Sequence, residues 1–286
     1  MAILEILPKI YSVGVVDWGV RTFHGHTYTT KRGSTYNAYL ILDDKITLVD
    51  TVLGSFTQEL IANIGQIVEP QKIDYVIANH VETDHSGALP EIMKLARRAK
   101  LFGTAKCKEG LWRNYYGEWD FQVVKTGDKL KLGERTLSFI EAPMIHWPDS
   151  MFTYCPEEQL LLPNDAFGQH YATSERFDDE VDDCALMDEA AKYYGNILWP
   201  LSSVILKKIE EIKNSGLSIK MIAPSHGIIW RKDPGKIINA YISWAKNETV
   251  NKVVVMYETM WGATEKMARL IVEGISAEGL SVKLFD

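Results

Sequence analysis

The sequence predicts an α/β sandwich built on mixed sheets, extended by a short strand–helix–strand unit. Three observations predict it. Through about residue 250, short β-rich runs mix with amphipathic helical stretches. Apolar residues make up 46% of the 286, enough for a sizeable core. After the charged link "KNETVNK" the chain restarts as "VVVMYETMWGATEKMARLIVEGISAEGLSVKLF", the βαβ opening of doubly wound nucleotide-binding folds.

The elements follow in order. "TYNAYLIL" and "ITLVDT" read as neighbouring strands joined by a turn at Asp43–Asp44–Lys45. Ser55 and Gln58 have the spacing of a capping box opening a helix through "ELIANIGQIV". "IDYVIANH" is a buried strand by its β-branched content. "SGALPEIMKLARRA" reads as a helix with basic residues in its last turn. "KLFGTA", "FQVVK", "TLSFIEA", "MFTYC" and "QLLLP" are strand-like. "ALMDEAAKYYGNIL" and "SSVILKKIEEIKNSG" are helical, the second stopped by Gly216. "SIKMIAPSHG" is a strand entering a loop, and "PGKIINAYISWAKN" is a helix begun by Pro234.

Composition narrows the function classes. With 31 basic against 38 acidic residues the net charge is −7, which argues against nucleic acid as the main partner. Cys107, Cys155 and Cys184 are far apart, without the spacing of a zinc site or a disulfide framework. No run of 18 apolar residues predicts a membrane span, and "MAILEILPKIYSVG" lacks a secretory pattern. A cytoplasmic protein that binds neither membrane nor nucleic acid is expected.

The chemistry concentrates in "ANHVETDHSGALP", Ala78 to Pro90. His80, Glu82, Asp84 and His85 lie within six residues, just past a buried strand. Residues two apart in extended backbone point the same way, so His80 and Glu82 are placed to grip one metal. Asp84 and His85, on the following turn, are placed to grip a second. Ions roughly 3.5–4 Å apart are a recurrent catalytic arrangement. The bland alternative is a polar loop capping a helix through Asp84 or Ser86. Four ligand-type residues in six positions speak against it. His146, Asp165 and His226 each sit just beyond an apolar strand, at the edge where α/β folds build sites. Asp165 can offer one carboxylate oxygen to each ion. Asp50, ending "ITLVD", either fixes the tautomer of a ligand imidazole or merely begins a turn. His24, in "TFHGHTY", and one of Tyr193 and Tyr194 are further candidates for groups that touch the ligands or bound substrate.

"HVETDHSG", "HWPDSM", "NDAFGQ" and "SHGIIW", with "TYNAYL" and "LVDT" upstream, resemble the metallo-β-lactamase-like domain of the flavodiiron proteins. The general metallo-β-lactamase pattern is His-x-His-x-Asp-His. Here Glu82 replaces the second His, as it does in flavodiiron proteins, and a hard carboxylate moves the site from zinc toward iron. The resemblance implies an αββα sandwich over residues 1–248. His80, Glu82 and His146 would hold one iron, Asp84, His85 and His226 the other, and Asp165 would bridge them. It implies reduction of dioxygen to water, of nitric oxide to nitrous oxide, or both. It also implies electrons from a rubredoxin-like donor and a head-to-tail homodimer or tetramer.

Residues 251–286 then resemble the start of a flavodoxin-like domain. The loop Thr259–Met260–Trp261–Gly262–Ala263–Thr264 has the character of an FMN phosphate loop, with hydroxyls at both ends and a helix N-terminus behind. A flavodoxin-like sheet needs about five parallel strands, so two strands are an incomplete unit. A protein of these 286 residues is expected to bind two irons and retain little FMN. Two rivals remain. One is a zinc-dependent hydrolase of the same fold, with metal-bound hydroxide as nucleophile. The other is a metal-free docking module. Glu82 speaks against the first, and seven competent ligand positions against the second.

Overall fold

The computed structural model describes residues 3–286 apart from His24 and His26. The chain divides into two compact units, Met1–Ala245 and Lys246–Asp286. Among the described residues no helix is long and apolar enough to cross a membrane.

The first unit is built on two sheets. The larger has seven strands in the order Leu4–Leu7, Ile10–Ser12, Tyr39–Ile41, Thr47–Val49, Tyr75–Ile77, Lys100–Gly103 and Phe121–Val123. Its first four strands pair antiparallel and its last four parallel. The smaller runs Lys129–Lys131, Thr136–Glu141, Met151–Cys155, Leu160–Leu162 and Met221–Ile222, with only its last pairing parallel.

Side-chain alternation explains the layering. In Thr47–Val49, Leu48 joins a cluster with Leu60, Ile64, Ile92 and Leu111 from the helices outside the large sheet. Its neighbour Val49 turns the other way, onto Leu137, Phe139, Met151 and Leu162 of the facing sheet. Phe152, Tyr154 and Leu161 point outward again, onto Leu186, Ile205, Ile237 and Tyr241 of a second helical layer. The result is helix, sheet, sheet, helix: the αββα sandwich expected.

Several local expectations change. "TYNAYLIL" is not one strand. Ser34–Tyr36 pairs with Val15–Asp17 in a separate ribbon, and only Tyr39–Ile41 joins the large sheet. The break falls where Asn37 leaves the ladder, its side chain donating to Pro224 O (2.9 Å) and Gly227 O (3.0 Å). The Ser55–Gln58 capping box does not form. A 3-10 turn, Gly54–Phe56, leads into the helix Thr57–Gly65, whose N-cap Phe56 makes no side-chain cap. The helix Ala105–Tyr115 was not anticipated. Thr104 caps it by accepting from Cys107 N at 3.0 Å. The helix Ser202–Asn214 does end at a left-handed Gly216, φ +73°.

In the second unit Lys252–Met256 and Ser281–Phe285 pair in parallel across the helix Ala263–Ala277. Their burial alternates between half-buried and exposed along each strand.

Candidate metal centre

Parallel strands end together, and their ends place the ligand-type residues. His80 follows Tyr75–Ile77 by three residues, Asp165 follows Leu160–Leu162 by three, and His226 follows Met221–Ile222 by four. His146 lies in the connection between Thr136–Glu141 and Met151–Cys155. Glu82 keeps extended backbone, and the one-turn helix Thr83–Ser86 then swings Asp84 and His85 inward. Ser86 Oγ secures that turn on Val81 O (2.7 Å), while Thr51 donates to His85 O through Oγ1 (2.6 Å) and N (2.9 Å).

Seven side chains converge in two groups. His80, Glu82, His146 and Asp165 bring one donor atom each within 4.8 Å of one another, and so do Asp84, His85 and His226. Asp165 joins them. Its Oδ2 lies 3.6 Å from His80 Nε2 and 3.3 Å from His146 Nε2. Its Oδ1 lies 3.1 Å from His85 Nε2 and 3.4 Å from His226 Nε2. Glu82 Oε2 is 3.4 Å from both His80 Nε2 and His146 Nε2. Asp84 Oδ2 is 3.2 Å from His85 Nε2 and 3.1 Å from His226 Nε2.

These spacings suit shared ions. With metal–ligand bonds of about 2.1 Å, neighbouring donors stand about 3.0 Å apart at a right angle and about 3.4 Å apart at a tetrahedral one. The alternative, a set of ordinary hydrogen bonds, leaves too much undone. His80 Nε2, His85 Nε2, Asp84 Oδ1 and Asp165 Oδ2 are buried without a hydrogen bond of normal geometry. Such atoms are costly unless something occupies the space between them. The donor set, four imidazoles with three carboxylates, fits a pair of hard-to-borderline divalent ions such as iron.

The electrostatics agree. Burial alone would lower the His80 pKa, but the Asp149 carboxylate bonded at Nδ1 and the Glu82 carboxylate 3.4 Å from Nε2 outweigh it and push it up to about 10. Burial is likewise overcome at His226, which Asp165 and Asp84 raise to about 9. Burial opposes, yet His146 and His80 bring Glu82 down to about 2. Asp165 is held well below the carboxylate range, against its burial, by His85, His146 and His226. The carboxylates thus demand positive charge here, and protons supply it when no metal does.

Around the ligands the expectations divide. Asp50 touches no ligand imidazole. Its Oδ1 accepts from Asn79 N (2.8 Å), and its Oδ2 from Asn79 Nδ2 (3.0 Å) and Asn164 Nδ2 (3.3 Å). It ties Asn79, just before His80, to the side chain of Asn164, just before Asp165. Asp50 and Asn164 are both left-handed, φ 58° and 54°, a conformation kept only where the surroundings enforce it. The imidazole-orienting role falls to Asp149, which sequence reasoning missed. Its Oδ2 accepts from His80 Nδ1 at 2.9 Å and from Val81 N at 2.8 Å. The signal was present, an acid three residues after His146 in "HWPDSM". His226 Nδ1 faces Thr35 O at 2.6 Å, so it must donate, leaving Nε2 for a metal. Tyr193 O–H donates to Asp165 Oδ1 at 3.0 Å. Tyr194 is corrected to core, bonded to Ser202 Oγ (2.8 Å) and packed on Tyr241 and Trp244. The expectation for His24 lies outside the described residues. A cavity of about 250 Å³ opens beside Glu82 and His146, walled by Tyr28, Trp147, Asn196 and Ile197.

In the second unit the loop 259–264 is folded on itself. Thr259 Oγ1 accepts from Gly262 N at 3.0 Å, and Gly262 is left-handed, φ +79°. Met260 and Trp261 are exposed.

Known proteins bear on this geometry. Residues 35–227 match the family model described as "ODP family beta lactamase". The chain is 58% identical over 283 residues to the nitric oxide reductase of Moorella thermoacetica, covering 99% of this chain and 71% of that one. Among solved structures it resembles the rubredoxin oxygen:oxidoreductase of Desulfovibrio gigas, with a TM-score of 0.96 and 39% identity over 99% of this chain and 72% of that one. It also resembles a flavodiiron protein of Giardia intestinalis, with a TM-score of 0.95 and 40% identity over 100% of this chain and 69% of that one.

Proposed function

The chain belongs to the flavodiiron proteins, a family of oxidoreductases with iron and FMN as cofactors, and on that basis we propose that it reduces nitric oxide to nitrous oxide, with dioxygen as a second substrate. The observation that carries the reading is Asp165, with one carboxylate oxygen at each group of ligand-type side chains. His80, Glu82 and His146 would hold one iron and Asp84, His85 and His226 the other. When bound, the iron pair supplies two electrons and two adjacent positions for diatomic molecules, and the flavin replenishes the electrons.

The protein's own residues set the conditions. Three carboxylates offset most of the charge of two ferrous ions, so the pair is held against its mutual repulsion. Glu82, in place of an imidazole, favours iron over zinc. Asp149 and the Thr35 carbonyl hold His80 and His226 by Nδ1, which aims Nε2 inward and raises its basicity. Tyr193 steadies Asp165 by donating to its Oδ1, which would fix the carboxylate's orientation toward bound iron. Trp147 stands edge-on to His80, ring centroids 5.2 Å apart, and walls the cavity. Thr259, Gly262, Ala263 and Thr264 would take the FMN phosphate at the start of the helix Ala263–Ala277.

A rubredoxin-like donor is part of this reading, supported by relatives named rubredoxin oxygen:oxidoreductase and flavorubredoxin. So is a head-to-tail homodimer or tetramer, in which one subunit's flavin serves its partner's irons. The test is anaerobic iron loading, chemical reduction and rapid mixing with nitric oxide. One nitrous oxide per iron pair is expected, with dioxygen consumed in a parallel run. Two tightly held zinc ions, hydrolytic activity and no gas product would instead establish the zinc hydrolase.

A further inference from the structure

The helix Ala105–Tyr115 supplies none of the seven ligand-type side chains, yet it grips the segments that carry them. Before its first residue, Thr104 Oγ1 accepts from Cys107 N at 3.0 Å and donates to Asp149 O at 3.1 Å. Asp149 is the residue that holds His80 by Nδ1. Midway, Gly110 packs on Val81, where an added Cβ would stand 3.1 Å from both γ carbons. In the last turn Asn114 Nδ2 donates to Val81 O at 3.3 Å, and Tyr115 Oη lies 2.9 Å from Ser86 Oγ. Ser86 closes the one-turn helix Thr83–Ser86 that bears Asp84 and His85.

The direction of the Tyr115–Ser86 bond follows from the number of hydrogens. Ser86 Oγ lies 2.7 Å from Val81 O and 3.0 Å from Glu82 O, carbonyls that only accept. The single Ser86 hydroxyl hydrogen serves them, so Tyr115 donates to Ser86 Oγ. Tyr115 O–H, Ser86 O–H and carbonyl then run one way, the order in which each bond strengthens the next. The Tyr115 ring is set by Trp119, centroids 6.3 Å apart. Trp119 in turn lies against Gly117, where a Cβ would meet the indole. The turn needs such support. It has four residues, against the ~12–15 at which an isolated helix is still marginal in water. Thr51 anchors it at His85 O, and Tyr115 anchors it at Ser86.

We propose that Tyr115 is a positioning residue for one half of the metal centre: by donating to Ser86 it fixes the turn that aims Asp84 and His85 inward. His85 Nε2 stands 3.1 Å from Asp165 Oδ1, and Asp84 Oδ2 stands 3.1 Å from His226 Nε2. Both spacings depend on where that turn sits. His80 is held separately, through Asp149. Loss of the phenol therefore loosens the group Asp84, His85 and His226 and spares the group His80, Glu82 and His146. The inference rests on the proposed di-iron reading for the identity of the ion, and on the hydrogen bonds alone for the brace. The rival is that the turn's own bonds suffice and water replaces the phenol, since Tyr115 is half-buried.

The test has two arms on the full chain, with Tyr115→Phe removing only the hydroxyl. In the first, amide hydrogen exchange is followed on metal-free protein. His85 N, Ser86 N and Gly87 N bond within the turn, and their exchange should speed about 10-fold, the equivalent of one lost hydrogen bond. Parental protection there overturns the brace. In a Ser86→Ala background, Tyr115→Phe should add nothing, and a further loss overturns the route through Ser86. In the second arm, iron-57 is loaded anaerobically in competition with a chelator and read by Mössbauer spectroscopy. One iron should bind about 10-fold more weakly with an altered doublet, as when a partner behind a ligand is lost, and the other should keep its parental affinity and signal. Parental affinity at both irons, or equal weakening of both, overturns the positioning role. A parent protein that binds no iron overturns the di-iron reading instead, and the exchange arm then decides the brace by itself.

Discussion

Asp165 shows how much one side chain decides. It faces four imidazoles, two through each oxygen. In the proposed di-iron site its removal would strip a ligand from both ions and expose their repulsion. Asp165→Ala should therefore fall from two irons per chain to one or fewer by elemental analysis, and two firmly held irons would show that it is no bridge. Glu82→His restores the His-x-His-x-Asp-His pattern of the zinc enzymes. Grown with both metals, that variant should gain zinc and lose reductase activity. Iron and rate both unchanged would mean Glu82 does not select the metal. Asp149→Ala removes the partner of His80 Nδ1 and Val81 N. Iron affinity should weaken about 10–100-fold, as losses of such partners do, measured by competition with a chelator.

The titrating groups make a further prediction, with a definite sign. In the metal-free site His80 and His226 are raised to about 10 and about 9, above their ordinary 6.5. The stability they contribute is complete below pH 6.5 and is lost as pH rises through 9 and 10. Metal-free protein should therefore lose thermal midpoint over that interval. Iron-loaded protein should not lose this contribution, since bound iron has replaced the protons. Loading should release protons at about pH 7–8 into weakly buffered solution, read with an indicator dye, and should tighten as pH rises. Loading without proton release would contradict the charged imidazoles.

At the scale of elements, the short helix Thr83–Ser86 owes its position to a missing side chain. A Cβ on Gly87 would stand 2.4 Å from Gly54 N and 3.1 Å from Gly54 Cα, both backbone atoms that cannot step aside. Gly87→Ala should cost about 1–3 kcal/mol, in the range of overpacked cores, and lower the urea midpoint. Iron should drop with it, because Asp84 and His85 ride on that turn. A variant with parental midpoint and metal would show the contact to be soft. The same scale explains the unread helix Ala105–Tyr115. Its exposed face carries Lys106, Lys108, Glu109, Trp112 and Arg113, so its apolar signal is thin. Only tertiary contact buries Cys107 and Leu111 against the large sheet.

For the whole molecule, the three apolar clusters all draw on residues before Lys246. Of the buried apolar side chains, Ala268 stands alone beyond that point among the described residues. A chain ending at Ala245 should thus unfold cooperatively and load two irons. The flavin phosphate should need the segment 259–264. A 1–245 protein that unfolds without a sharp transition would show that the core depends on residues 246–286.

The sequence by itself determined the α/β class and gathered the ligand-type residues, while the αββα layer order and the iron assignment came with the family resemblance. Ligand type and short-range spacing are local properties, so His80, Glu82, Asp84 and His85 were legible in one six-residue stretch. Strand ends with His or Asp just beyond them supplied His146, Asp165 and His226. Only the tertiary structure decided which oxygen of Asp165 faces which group, because that depends on distant strands such as Leu160–Leu162 and Met221–Ile222 arriving side by side. It also moved the orienting role from Asp50 to Asp149 and sorted Tyr193 from Tyr194. A carboxylate's partner is set by where its loop lands, and adjacent residues on a helix are divided by which neighbour packs against each face. Neither is encoded in spacing along the chain.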